Sequence, residues 1–176
     1  MRHRLLTVCL CALSFVAAAA CTIPAASDSS MPPARVLPAD ARALAYGRTT
    51  DEVLQNAELR DKIPALFGRD WAPASQGRGQ IAPGAAAFFG KGGPIRMVSI
   101  GEANYVSVTG CAPDACRTRR VLLLIREGGA QLLARLDDGA ITHYYAYDGG
   151  IKAAAGPPIV DAGLRALRSV GDPYPS

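Results

Sequence analysis

Between residues 95 and 147 the chain repeats one pattern: a short apolar or alternating run, then a tight turn signal. This pattern constrains the fold more than any other feature. Residues 95–100 and 104–109 flank Gly101-Glu102-Ala103, the signature of a hairpin. In the second run Tyr105, Ser107 and Thr109 alternate with Val106 and Val108, which sends the two sets to opposite faces. Residues 120–125 are continuously apolar after Arg120, as a central strand requires. Glu127-Gly128-Gly129 turns the chain into residues 131–136, and Asp137-Asp138-Gly139 turns it again into residues 141–147. Connections this short join antiparallel neighbours, so the reading is a meander of about five strands.

Helical signals bracket the strands. Thr49 and Glu52 stand at capping-box spacing, followed by Val53, Leu54 and Ala57 on one helical face. Pro64 interrupts residues 58–67, which predicts two short helices or a kinked one. Residues 71–93 are rich in Gly, Pro and Ala and read as a loop, with a turn of helix around residues 85–89. After Pro157 and Pro158, residues 160–170 carry Leu164, Ala166 and Leu167 for packing and Arg165 and Arg168 for solvent. The expected class is α+β, a sheet of about five antiparallel strands with helices on one side.

The first twenty residues have the parts of a secretory signal. Arg2, His3 and Arg4 make a basic start, residues 5–16 an apolar stretch, and residues 17–20 are small. The apolar stretch is shorter than the ~20 residues a membrane span needs. Ala18-Ala19-Ala20-Cys21 resembles a bacterial lipobox with Ala in place of its usual first Leu. Ordinary cleavage after Ala20 is the alternative. Cysteine arithmetic separates them: of five cysteines, Cys9 and Cys11 leave with the signal and Cys111 and Cys116 pair. Cys21 would be an odd thiol in an oxidising space unless lipidated. Thr22 is not the Asp that holds lipoproteins at the inner membrane, so anchoring of Cys21 in the outer membrane, facing the periplasm, is expected. The chain then divides into a signal at 1–20, a lipidated cysteine and Ala/Pro/Ser-rich tether at 21–47, and one domain at 48–176. A flexible tether of that length reaches roughly 25–30 Å.

Loss of Arg2 and Arg4 lowers the formal charge of +4 by two, too little to argue for nucleic acid. Enzyme chemistry is poorly provided for. The only histidine beyond the signal is His143, mid-strand beside Thr142, Tyr144 and Tyr145, with no nucleophile–base pairing in view. No Cys/His spacing suits a metal, and no glycine-rich segment opens a helix to cradle phosphate. Asp137 and Asp138 read as turn residues rather than as an acid/base pair. Tyr144, Tyr145 and Tyr147 serve equally as a binding face or as packing. No cofactor and no metal is expected.

What remains is Cys111-Ala112-Pro113-Asp114-Ala115-Cys116. A close cysteine pair in an exported chain reads as a disulfide. Closing so small a ring stabilises by only ~2 kcal/mol in the chain-entropy model. Its value lies in shape, because a stiff tip loses little entropy on entering a cleft. Arg117, Arg119 and Arg120 follow, either as a solvated start to the next strand or as a basic collar that steers the loop toward an acidic partner.

The run from Tyr105 through Cys116, with Arg120-Val121-Leu122-Leu123-Leu124 behind it, resembles the inhibitor of vertebrate lysozyme (Ivy) family. That family has a strand, Cys-Lys-Pro-His-Asp-Cys, then an apolar strand. Residues 49–67, with Ile63-Pro64-Ala65, are similar to its N-terminal helical segment, and residues 161–170 to its C-terminal helix. The resemblance implies a protein that blocks a lysozyme or another peptidoglycan hydrolase by inserting the 111–116 loop into the active site, without being an enzyme itself. This chain departs at the tip: Ala112 stands for Lys, Asp114 for His and Ala115 for Asp. Two unit charges 4 Å apart interact by ~4 kcal/mol at an effective dielectric of 20, so an acidic tip facing ionised carboxylates weakens binding. Arg117 or Arg119 supplying a charge, or Asp114 accepting a proton from a protonated catalytic Glu, would offset this. An immunity protein against a murein-degrading toxin and a non-inhibitory envelope module are the alternative expectations.

Overall fold

The computed structural model describes residues 31–73, 79–81, 83–147 and 155–176. The signal, Cys21 and the first part of the expected tether lie outside these residues. Seven strands form one antiparallel sheet: β1 (Ala34–Val36), β2 (Lys91–Gly92), β3 (Arg96–Ile100), β4 (Ala103–Cys111), β5 (Arg119–Arg126), β6 (Gln131–Asp138) and β7 (Ile141–Tyr147). Their order is β1-β3-β4-β5-β6-β7, with β2 joining β4 beyond β3. Among the described residues three α-helices accompany them: α1 (Thr50–Gln55), α2 (Lys62–Phe67) and α3 (Gly156–Ser169). The class is α+β, with two more strands than the sequence suggested.

Both additions have local reasons. β1 comes from the segment read as tether; it pairs with β3 from Ala34 opposite Ile100 to Val36 opposite Val98. Asp40 then caps a 3-10 turn, Ala41–Leu44, by accepting from the Arg42 amide at 2.8 Å, and Ala43 is buried. The folded unit therefore starts ahead of residue 48. β2 and β3 lie along the same edge of β4, separated at Pro94, which has no N–H to donate. Gly93 N bridges the gap by donating to Thr109 O at 2.8 Å.

The helices cover both faces of the sheet, not one. Val121, Leu123 and Ile125 of β5 pack with Val53, Ile63, Phe67 and the 3-10 residues Phe88 and Phe89. Leu122 and Leu124 point the other way, into Val160, Leu164 and Leu167 of α3. A strand apolar at five consecutive positions has no face to give to water, so it needs a layer on each side.

Helix boundaries follow their end chemistry. Thr49 caps α1 by accepting from Glu52 N at 3.2 Å, while Glu52 Oε2 reaches back to Arg48 N at 2.8 Å, one residue before the standard box partner. α3 starts at Gly156, so Pro157 and Pro158 lie inside its first turn instead of preceding it. First-turn amides have no acceptor within the helix, and proline gives up nothing there. The expected helical turn at residues 85–89 is present as 3-10 helix Ala85–Phe89.

Candidate interaction site: the cysteine loop

β4 and β5 pair as far as Cys111 opposite Arg120, and the chain between them projects beyond the sheet. Cys111 and Cys116 form a disulfide with Cα atoms 4.8 Å apart. Backbone bonds stiffen the loop inside the bridge. Ala112 N donates to Arg119 O at 3.0 Å, Ala115 N to Ala112 O at 3.1 Å, and Arg119 N to Ala115 O at 2.8 Å. Asp114 takes a left-handed φ of 63°, a conformation Asp tolerates better than most residues.

Burial divides the six residues. Cys111 and Ala112 are buried at the base, Ala115 and Cys116 are intermediate, and Pro113 and Asp114 are exposed at the tip. Ala112 thus belongs to the support rather than to the presented surface. Beside the tip runs a groove of about 500 Å³ with Lys91, Pro113, Asp114, Arg117, Thr118 and Ser176 along it.

The basic collar is smaller than the sequence implies. Arg119 Nε bonds Asp138 Oδ1 at 3.0 Å. Arg120 lies over the Tyr174 ring, 4.9 Å from its centroid. Arg117 alone of the three is exposed and makes no ion pair among the described residues. The reason is register: Arg119 faces Asp138 and Arg120 faces Asp137 across the β5–β6 ladder, and only Arg117 lies in the loop.

Asp137 and Asp138 end β6 instead of forming a turn, which falls at Gly139 with φ 65°. Asp137 is buried and accepts from Arg135 Nε at 2.9 Å and Thr142 Oγ1 at 2.8 Å. Arg135 also donates to Asp161 Oδ1 at 2.7 Å, and the Tyr144 hydroxyl lies 2.9 Å from both Asp161 oxygens. Burial by itself lowers the Arg135 pKa, but its bonds to Asp161 and Asp137 raise it overall. This network fastens α3 to the sheet through Asp137, while Asp138, the other β6 carboxylate, is paired with Arg119.

The tyrosines of β7 divide between the two faces. Tyr145 donates to Asp70 Oδ2 at 2.9 Å on the α2 side, and burial, with that bond, raises its pKa. His143 lines an open polar groove with Arg69, Asp70 and Gln80. Among the described residues no three His, Cys, Asp or Glu side chains gather in a metal-holding group, and no helix is long and apolar enough to cross a membrane.

Sequence reading missed the segment beneath the loop. Tyr174 is buried, and burial pushes its hydroxyl up to about 12. Asp172-Pro173-Tyr174-Pro175 offered a faint signal, an aromatic held between two rigid prolines. Comparison of the chain with protein-family models, with curated proteins and with solved structures finds no match.

Proposed function

We propose that this protein binds a peptidoglycan-cleaving enzyme of the lysozyme type by inserting the 111–116 loop into its active site, and that it does so as a periplasmic lipoprotein held to the outer membrane through Cys21. The observation that carries this reading is the disulfide-closed loop itself: a short cross-linked turn with Pro113 and Asp114 exposed at its tip, rooted in two strands that are buried over most of their length. A projection of this kind enters a cleft with little loss of entropy. Its action is obstruction, with no substrate turned over.

The tip chemistry shapes the reading. Asp114 is acidic, and with Arg119 bound to Asp138 the offsetting charge falls to Arg117 alone. Glycosidases of this type work with two carboxylates, one kept protonated by its environment. Asp114 fits beside the protonated acid as a hydrogen-bond acceptor and clashes with the ionised partner. This favours, as a second reading, an immunity protein whose target cleft is protonated or electropositive.

The test is clearance of a peptidoglycan suspension by a c-type lysozyme in the presence of the purified protein, beside its Asp114→His variant. Inhibition by the wild-type protein supports the first reading. Inhibition by the histidine variant alone means a working scaffold retuned to another target. Silence from both removes lysozyme inhibition. Intact mass of the membrane-extracted protein tests the anchor: an unmodified Cys21 thiol overturns it.

A further inference from the structure

The segment from residue 172 to residue 176 seats Tyr174 at the edge of the α3-side core and makes its other contacts at the root of the cysteine loop. Asp172 Oδ1 accepts from Tyr174 N at 3.1 Å and turns the chain. Pro173 O then accepts from the buried Thr109 hydroxyl at 2.6 Å, just before the loop on β4. Tyr174 presents its ring to the Arg120 guanidinium, just after the loop on β5. Among the described residues Arg120 Nε is buried with no hydrogen-bond partner, and the ring offers this cation its π face. Pro175 O lies 4.0 Å from Cys111 Sγ, and Ser176 O accepts from Lys91 Nζ on β2. Every one of these partners either belongs to the loop's root or sits on the strand paired with it.

We propose that residues 172–176 are a strap that positions the inhibitory loop, with Tyr174 as its anchor, and that Ser176 and Lys91 extend the partner-binding surface along the groove beside Asp114; this rests on the function proposed above. The end of a hairpin is the part of a sheet most prone to local opening. Its stiffness limits how much entropy is lost when a partner closes around it. The strap ties the last residues of β4 and the first of β5 to one rigid segment, so the tip moves only if the strap does. A tyrosine that merely filled the α3-side core would have no need to meet Arg120.

The test uses the full protein as wild type, Tyr174→Leu, Tyr174→Phe and Thr109→Val. Amide hydrogen exchange is followed at Ala112, Ala115, Thr118 and Arg119, against Leu124 and Leu133 in the sheet centre, and dissociation from a c-type lysozyme is timed in parallel. Leucine keeps apolar bulk and removes the ring face. Its loop amides are expected to exchange about tenfold faster with the central amides unchanged, and the complex to dissociate about tenfold faster. Phenylalanine keeps the face and behaves as wild type. Thr109→Val loosens the same amides to a lesser degree. Unchanged loop exchange in Tyr174→Leu overturns the strap, as does equal acceleration throughout the sheet, which marks a purely stabilising residue. If the wild-type protein binds no lysozyme, the proposed function fails, while the exchange arm still decides whether the strap holds the loop.

Discussion

Gly90 packs against Pro113 at the side of the loop: a Cβ placed on Gly90 would lie 2.9 Å from Pro113 Cδ and 3.0 Å from its Cγ. The end of the 3-10 turn Ala85–Phe89 thus serves as a seat for the loop's only proline. Gly90→Ala is expected to push Pro113 outward. Overpacking of this kind destabilises by about 1–3 kcal/mol. Calorimetry reads the stability change, and affinity for the target enzyme should fall further than stability alone explains. An unaltered affinity would show that the seat does not set the loop's pose.

Asp138 withholds Arg119 from the loop surface. The pair is partly exposed, with side chains 41% and 25% accessible, so its own contribution to stability is at most about 1 kcal/mol. Asp138→Asn should therefore leave the melting temperature nearly unchanged. It should speed association with a cleft bearing carboxylates, because Arg119 then joins Arg117 beside the loop. Association rates measured at low and moderate salt check this, and the gain should shrink as salt rises.

Arg135 carries the opposite expectation. Its guanidinium links Asp137 with Asp161, a bridge from β6 to α3, and Asp137 is buried. Arg135→Ala leaves a buried carboxylate unpaired and should destabilise by about 3–5 kcal/mol. Replacing Arg135 and Asp137 together by Met and Val should recover part of that loss. Urea unfolding of the single and double variants provides the comparison, and a single variant as stable as wild type would refute the account.

Alkaline pH should unfold the protein through its buried tyrosines. The Tyr174 hydroxyl, at about 12, lies above its ordinary value of 10.0, because burial disfavours the phenolate. Its contribution is fully present below pH 10 and is lost as pH climbs through 12, since the unfolded chain gives up the proton first. Tyr145 is raised for a similar reason and adds to the same slope. Tyr174→Phe should flatten the decline between pH 10 and 12, readable as denaturation midpoint against pH.

Much of the sheet was legible because its determinants are local. Gly101, Gly128 and Gly139 adopt the positive φ their turns demand, and the runs between them have the length and period of strands. The cysteine loop was legible for the same reason, its ends lying five residues apart. The doubly buried run at residues 121–125 also carried a warning against a one-sided helical layer, since both of its faces are apolar.

The remaining features depend on contacts between distant segments. Nothing near Ala34 announces that it will pair with Ile100, nor does anything near Tyr174 announce Arg120. Arg117, Arg119 and Arg120 look equivalent along the chain, yet the β5–β6 register gives one to Asp138, the packing of residues 172–176 gives another to Tyr174, and the third is left exposed. The sequence by itself determined the five strands of the meander, their turns and the closed loop, because propensity, glycine conformation and a short covalent ring act over a few residues. The tertiary structure alone decided how the helices divide between the faces, what braces the loop and which charges it presents, because those follow from burial and pairing between segments far apart in the chain.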